Sequence, residues 1–128
     1  MSAMSDYLEN SFLDHFTGTT STTAPAAVYL GLSTASMNDD NSGTELSGSG
    51  YARQVITFAS ASGAAISNNA AVEFPSATGS WGTVSHWAIY DASTGGNQLF
   101  HGSFATGKAI ATGDIPKVAA SALTITAA

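Results

Sequence analysis

Hydrophobic positions along this chain change period once. Leu8, Phe12 and Phe16 recur at i, i+4 and i+8, with Tyr7 and Leu13 flanking the stripe, which predicts one helix over residues 5–18. Ser5 or Asp6 can cap that helix and Gly18 stops it. Asp6 and Glu9 have the spacing of a capping box and suit the positive end of the helix dipole, so they read as helix punctuation in preference to a catalytic pair. Residues 17–25 are Thr, Ser, Gly, Ala and Pro throughout, a composition that makes a loop.

Beyond it the period is two. Val28, Leu30 and Leu32 alternate with Tyr29 and Gly31, and Ala52, Gln54, Ile56 and Phe58 alternate with Tyr51, Arg53, Val55 and Thr57. Further strands are predicted at about 70–74, 84–91, 98–105 and 122–126, with Thr94-Gly95-Gly96-Asn97 as a hairpin signal between two of them. One helix placed first and short strands with frequent turns predict a mainly β fold, an antiparallel β-sandwich or jelly-roll-like body over residues 26–128, in one domain. The connection 33–50 carries no periodic apolar signal, and a loop of that length is expected to be functional or mobile, for instance a contact arm.

Composition narrows the function classes. Charged residues make up 9% of the chain, against roughly 25% in an ordinary soluble domain, which leaves a neutral, small-featured surface suited to packing against other protein. With a net charge of −6 and only Arg53, Lys108 and Lys117 as fixed cations, the chain is poorly equipped to neutralise phosphates, so no nucleic-acid partner is expected. There is no cysteine, hence no disulfide or thiolate metal site. No apolar run approaches the ~20 residues of a membrane span and the first residues lack the pattern of a signal peptide, so synthesis in a cytoplasm with no membrane partner is expected.

Candidate chemistry is sparse. Asp39-Asp40-Asn41-Ser42-Gly43-Thr44-Glu45 has oxygen ligands at alternate positions but lacks EF-hand spacing, and reads as a solvated turn. His15 is expected to face solvent; His86 and His101 fall on neighbouring predicted strands and read as hydrogen-bonded strand histidines, since no third ligand with matching spacing is present. The serines stand in no nucleophile elbow, and the glycines at 43, 48 and 50 precede a strand where a phosphate loop needs a helix. Trp81, Trp87 and Tyr90 offer a sugar-stacking platform only if exposed; along strands such residues are more often core. Neither an enzyme activity nor a cofactor is expected. Glu45 and Arg53 read as an ion pair, structural or between subunits, which fixes geometry more than it adds stability if buried.

Several segments together resemble a family of small virion proteins of double-stranded DNA phages, tail-fibre-like or minor tail proteins, alongside capsid cement proteins of similar type. They are Tyr7-Leu8-Glu9-Asn10, Ala27-Val28-Tyr29-Leu30-Gly31-Leu32, Thr44-Glu45 with Tyr51-Ala52-Arg53-Gln54, Phe74-Pro75, Trp81-Gly82-Thr83-Val84 with His86, and Asp91 to Asn97 leading to Leu99-Phe100-His101-Gly102. Their order covers the chain up to about Lys108. The resemblance implies a β-rich, non-enzymatic virion component made in the host bacterial cytoplasm. The expected role is capsid cement: a homotrimer at threefold sites that bridges capsomers by contact with the major capsid protein. The alternative is a tail-tip or fibre-adaptor protein contacting tail proteins, and a carbohydrate-binding module is a third reading. The expected subunit or capsid interface comprises Glu45, Tyr51, Arg53, Asp39 and Asp40.

Overall fold

The computed structural model describes residues 2–127 and is mainly β, with antiparallel sheets and one helix near the N-terminus. Its elements are β1 (Ser2–Met4), α1 (Asp6–Phe16), β2 (Val28–Ser33), β3 (Gln54–Ile56), β4 (Ala65–Ser67), β5 (Val72–Glu73), β6 (Gly82–Tyr90), β7 (Gln98–Ile110), β8 (Lys117–Val118) and β9 (Thr124–Thr126). A five-stranded sheet in the order β1-β7-β6-β2-β3 forms one layer, and the two-stranded ribbons β4-β9 and β5-β8 contribute to the other.

Alternation explains what lies between the layers. Leu30 and Leu32 of β2 and Trp87 and Ile89 of β6 project from the front of the sheet onto Val72, Phe74, Leu123 and Ile125 from the ribbons and their flanks. Val84 joins the same core although it stands an odd number of residues from Trp87. A register shift between Val84 and His86 inserts the extra residue that turns both side chains to one side. The result is a sandwich-like body in which the apolar stripe of each strand is removed from water.

The ribbons are held by a polar pin. Asn68 is 1% exposed, and its side-chain amide donates to the carbonyls of Ala70 and Ala119, each at 2.9 Å, while its Oδ1 accepts from Leu123 N at 3.0 Å. A fully satisfied buried amide of this kind fixes one arrangement of the segments around it.

Three short strands, β1, β4 and β8, were not predicted, because two or three residues carry no legible alternation; β7 runs to Ile110, well beyond the predicted 105. The predicted strand over 51–58 shrinks to Gln54–Ile56, since residues 51–53 turn toward the loop before them. The helix matches its prediction in place, but Ser5 alone is the N-cap, accepting from Leu8 N at 3.2 Å. That puts Leu8 at the capping-box position, so the Asp6/Glu9 capping box is not formed. None of the helix residues is buried, and Phe12, Leu13 and Phe16 are at least half exposed.

The connection 33–50 departs most from expectation. It is a strap folded over the back of the sheet instead of an arm reaching away. Ser33 Oγ donates to Thr44 O at 2.6 Å, Leu46 N donates to Leu32 O at 2.9 Å, and Met37 is buried against Ala88 and Tyr90. The sheet thereby has a covered region on each face.

Candidate functional site

The strap is locked where it meets β2, β6 and the hairpin turn. β3 ends opposite Leu30, so the outer edge of β2 at Leu32 has no strand beside it. Two groups from the strap replace the missing ladder: Leu46 N bonds Leu32 O, and the Tyr51 hydroxyl accepts from Leu32 N at 2.9 Å. Tyr51 in turn donates its proton to Glu45 Oε2. Its ring lies against the front core, stacked on Phe74 at 6.2 Å and edge-on to Trp81 at 5.5 Å. One side chain therefore links the core to the polar lock.

Arg53 completes it. Its Nε donates to both Glu45 oxygens, at 3.0 and 2.9 Å, and its Nη2 donates to Oε1 at 2.8 Å. Nη1 donates to the carbonyls of Ala92 and Gly95, both at 2.8 Å, which ties the strap to the turn between β6 and β7. The guanidinium carbon sits 3.4 Å from the centroid of the Tyr90 ring, a cation–π contact. Only a planar fork on a long stem makes these contacts together, which a lysine ammonium cannot.

Gly31 makes room for the lock. A Cβ there would stand 2.7 Å from Glu45 Oε2 and 2.9 Å from Tyr90 Cε2, closer than packed atoms approach, so the bare backbone of β2 is the floor beneath the carboxylate. The turn on the far side is capped by Asp91, whose Oδ1 accepts from Asn97 N at 2.7 Å. Gly95 and Gly96 take φ values of 61° and 71°, which glycine adopts without steric cost.

The electrostatics follow the geometry. Burial, the hydrogen bond to Glu45 and that carboxylate's charge all raise the Tyr51 pKa well above the ordinary tyrosine value. Tyr90 is pushed up to about 12 by burial and the Glu45 charge, with Arg53 acting in the opposite sense. Burial works against the Arg53 charge, but the hydrogen bonds and charge of Glu45 outweigh it and raise the Arg53 pKa. All three groups thus keep their protons through the neutral range. They are locked in place and are not poised for proton transfer.

The expected interface residues therefore divide. Glu45, Tyr51 and Arg53 meet within a single chain, with the Arg53 and Glu45 side chains 9% and 20% exposed. Asp39 and Asp40 lie on the outer part of the strap. Asp39 bonds His101 Nε2, and Asp40 accepts from Ser42 N at 3.0 Å. Hydrogen bonds from the Ser42 side chain and backbone hold the Asp40 carboxyl below its ordinary value. His86 and His101 do not bond each other: His86 is held by the hydroxyls of Ser85, at 2.7 Å, and Ser36, at 3.3 Å, beside a recess of about 240 Å³ that both histidines line.

Trp81, Trp87 and Tyr90 are each at most 5% exposed, so these three form no sugar-stacking platform and the carbohydrate-binding role expected of them has no support. The sequence showed the Glu45–Arg53 pair through the scarcity of cations. It did not show that Tyr90 and Gly31 belong to the same lock, because β6 and β2 are brought beside the strap only by sheet pairing.

What the lock does is hold two surface loops at a fixed spacing. Residues 47–48 and 93–95 flank a cleft of about 410 Å³, and Gly48, Ser49 and Gly50 all take positive φ in the tight turn that closes on Tyr51. The fold is thus a β body whose surface loops are braced by an ion pair turned inward. The family model described as Podophage GP4 fiber I protein gp80 matches residues 3–126, and the chain belongs to that family. It is a structural protein of the phage virion. No curated protein matches the chain.

Proposed function

We propose that this protein is a component of the tail fibre, acting through protein–protein contacts and without catalysis. The family match, which spans nearly the whole chain and is to a fibre protein, carries the reading. The structure supports it physically. Ion-paired and hydrogen-bonded groups at the strap stiffen the body, while a surface poor in charge approaches other proteins at little desolvation cost. In this reading Asp39 and Asp40, on the outer strap, and the loops beside Glu45, Tyr51 and Arg53 face neighbouring virion proteins, and the assembly is a homotrimer matched to a threefold axis.

Counting copies per particle by quantitative mass spectrometry, with the major capsid protein as internal standard, tests this against the capsid-cement role. A tail component is expected at on the order of ten to a few dozen copies, whereas cement at every threefold site needs on the order of hundreds. The larger number would transfer the protein to the capsid surface; its absence from purified particles would end the virion reading.

A further inference from the structure

The three basic side chains fall in two places. Arg53 is engaged by Glu45, whereas Lys108 on β7 and Lys117 on β8 both line one cleft of about 340 Å³. Its apolar walls include Phe104, Ile110, Ile115 and Val118, and Ile115 is 56% exposed. Glu73 stands opposite Lys117 across the β5-β8 ribbon, yet the ion pairs among the described residues are those of Arg53 and His101 alone. Both lysines are unpaired at the rim of an apolar surface.

The complementary chemistry is at the other end of β7. Glu9, Phe12, Leu13 and Phe16 occupy positions i, i+3, i+4 and i+7 of α1, which places them on one face. Phe12, Leu13 and Phe16 are 50%, 58% and 72% exposed, the two phenylalanine rings lie 4.8 Å apart, and Glu9 is exposed with no side-chain partner among the described residues. Such a face, apolar with a carboxylate at one end, is what a partner groove with matching cations takes.

We propose that this face of α1 in one copy docks into the Lys108/Lys117 cleft of a second copy. Within one chain the two do not meet, since Phe12, Leu13 and Phe16 stay exposed. The entry to the helix is fixed at the start of β7 by Ser5 N to Leu99 O at 2.9 Å. Lys108 lies nine residues farther along that strand (108 − 99), about 30 Å at the usual strand rise, whereas Glu9 is about 6 Å into the helix. The joint is head-to-tail: each copy offers a helix at one end and a cleft at the other. Such a contact closes into a ring where its rotation matches a cyclic symmetry, a threefold included, and otherwise extends into a filament. It applies equally to a tail and a capsid location, so its failure and that of the fibre reading are separable.

Sedimentation velocity on the purified full chain tests the joint with paired variants. Glu9→Lys and the double change Lys108→Glu/Lys117→Glu are each expected to weaken self-association at least about tenfold, since like charges then face each other. All three changes in one chain restore it. The decisive measurement mixes a helix variant, Phe12→Ser/Phe16→Ser, with the cleft variant Lys108→Glu/Lys117→Glu. Neither associates alone, but each supplies the half the other lacks, so together they form dimers and no larger species. Unfolding midpoints equal to that of the parent chain show that the variants fold. A parent chain that stays monomeric at millimolar concentration, an oligomer that survives both variants, or a mixture that forms no dimer would each overturn the proposal.

Discussion

The strap behind the sheet and the helix at its edge use similar residues to opposite ends. Each brings acidic side chains beside aromatic ones, but at the strap the charge is answered inside the chain: Glu45 by Arg53 and Tyr51, and Arg53 by two carbonyls and the Tyr90 ring. At the helix Glu9 has no side-chain partner among the described residues, and the rings of Phe12 and Phe16 meet water. The difference teaches that a charge serves the fold when its partners lie in the same chain and remains available for assembly when they do not. Substitutions in the strap should therefore change stability, and substitutions in the helix should change association.

Arg53→Ala should produce the largest loss. It leaves the Glu45 carboxylate largely buried beside Tyr51 without its cation, and about 3 kcal/mol of unfolding free energy is expected to go, read from urea midpoints at constant slope. Arg53→Lys should recover little of it, since an ammonium cannot reach both carbonyls and the carboxylate at once. A normal midpoint in Arg53→Ala would mean that the lock does not brace the fold.

Gly31→Ala comes next, at about 2 kcal/mol, because the added methyl group meets Glu45 and Tyr90 and forces the lock to shift. Combining it with Arg53→Ala should cost less than the sum, as both act on one cluster. Additive losses would separate Gly31 from the lock. Tyr51→Phe removes the acceptor of Leu32 N–H and the donor to Glu45 while keeping the ring in the core, and about 1–2 kcal/mol is expected.

Alkaline pH probes the same cluster more gently. Tyr90 releases its proton at about 12 in the folded chain, above the ~10 of an unfolded tyrosine, so the neutral form is favoured by folding. The stability this contributes is full below pH ~10 and is lost as pH rises toward 12. Unfolding midpoints measured from pH 8 to 12 should fall for the parent chain and fall less steeply for Tyr90→Phe; parallel curves would show that Tyr90 carries none of the alkaline sensitivity. The smallest effect on stability is expected at the helix, where Phe16→Ser should shift the unfolding free energy by no more than about 0.5 kcal/mol. A large loss there would mean that the helix face supports the monomer.

How much could be read in advance differs between elements for local reasons. The helix carries its period over three turns and β2 alternates over six residues, long enough for a stripe to show, whereas β6 is legible from its nine-residue length and aromatic content although register shifts break its alternation. β1, β4 and β8 exist because a longer neighbour or a ribbon partner supplies their hydrogen bonds, as when Ser2, Ala3 and Met4 pair with Gly102, His101 and Phe100. Nothing in three residues announces such pairing. The strap misled for the opposite reason: its single buried apolar side chain, Met37, gives no period, although backbone and carboxylate bonds hold it closely.

The sequence by itself determined the class of the fold, the one helix with its amphipathic stripe, and the salience of Glu45 and Arg53 in a chain with three cations, because period and composition are local properties. Tertiary structure decided which face of each element meets water. Sheet pairing placed Gly31 and Tyr90 under the ion pair, turned Trp81 and Trp87 into core, and left Phe12 and Phe16 outside. It also brought Lys108 and Lys117 together at one cleft. The physical reason is that burial and pairing depend on which distant segments arrive at a surface, and a residue's own neighbours in sequence carry no record of that arrival.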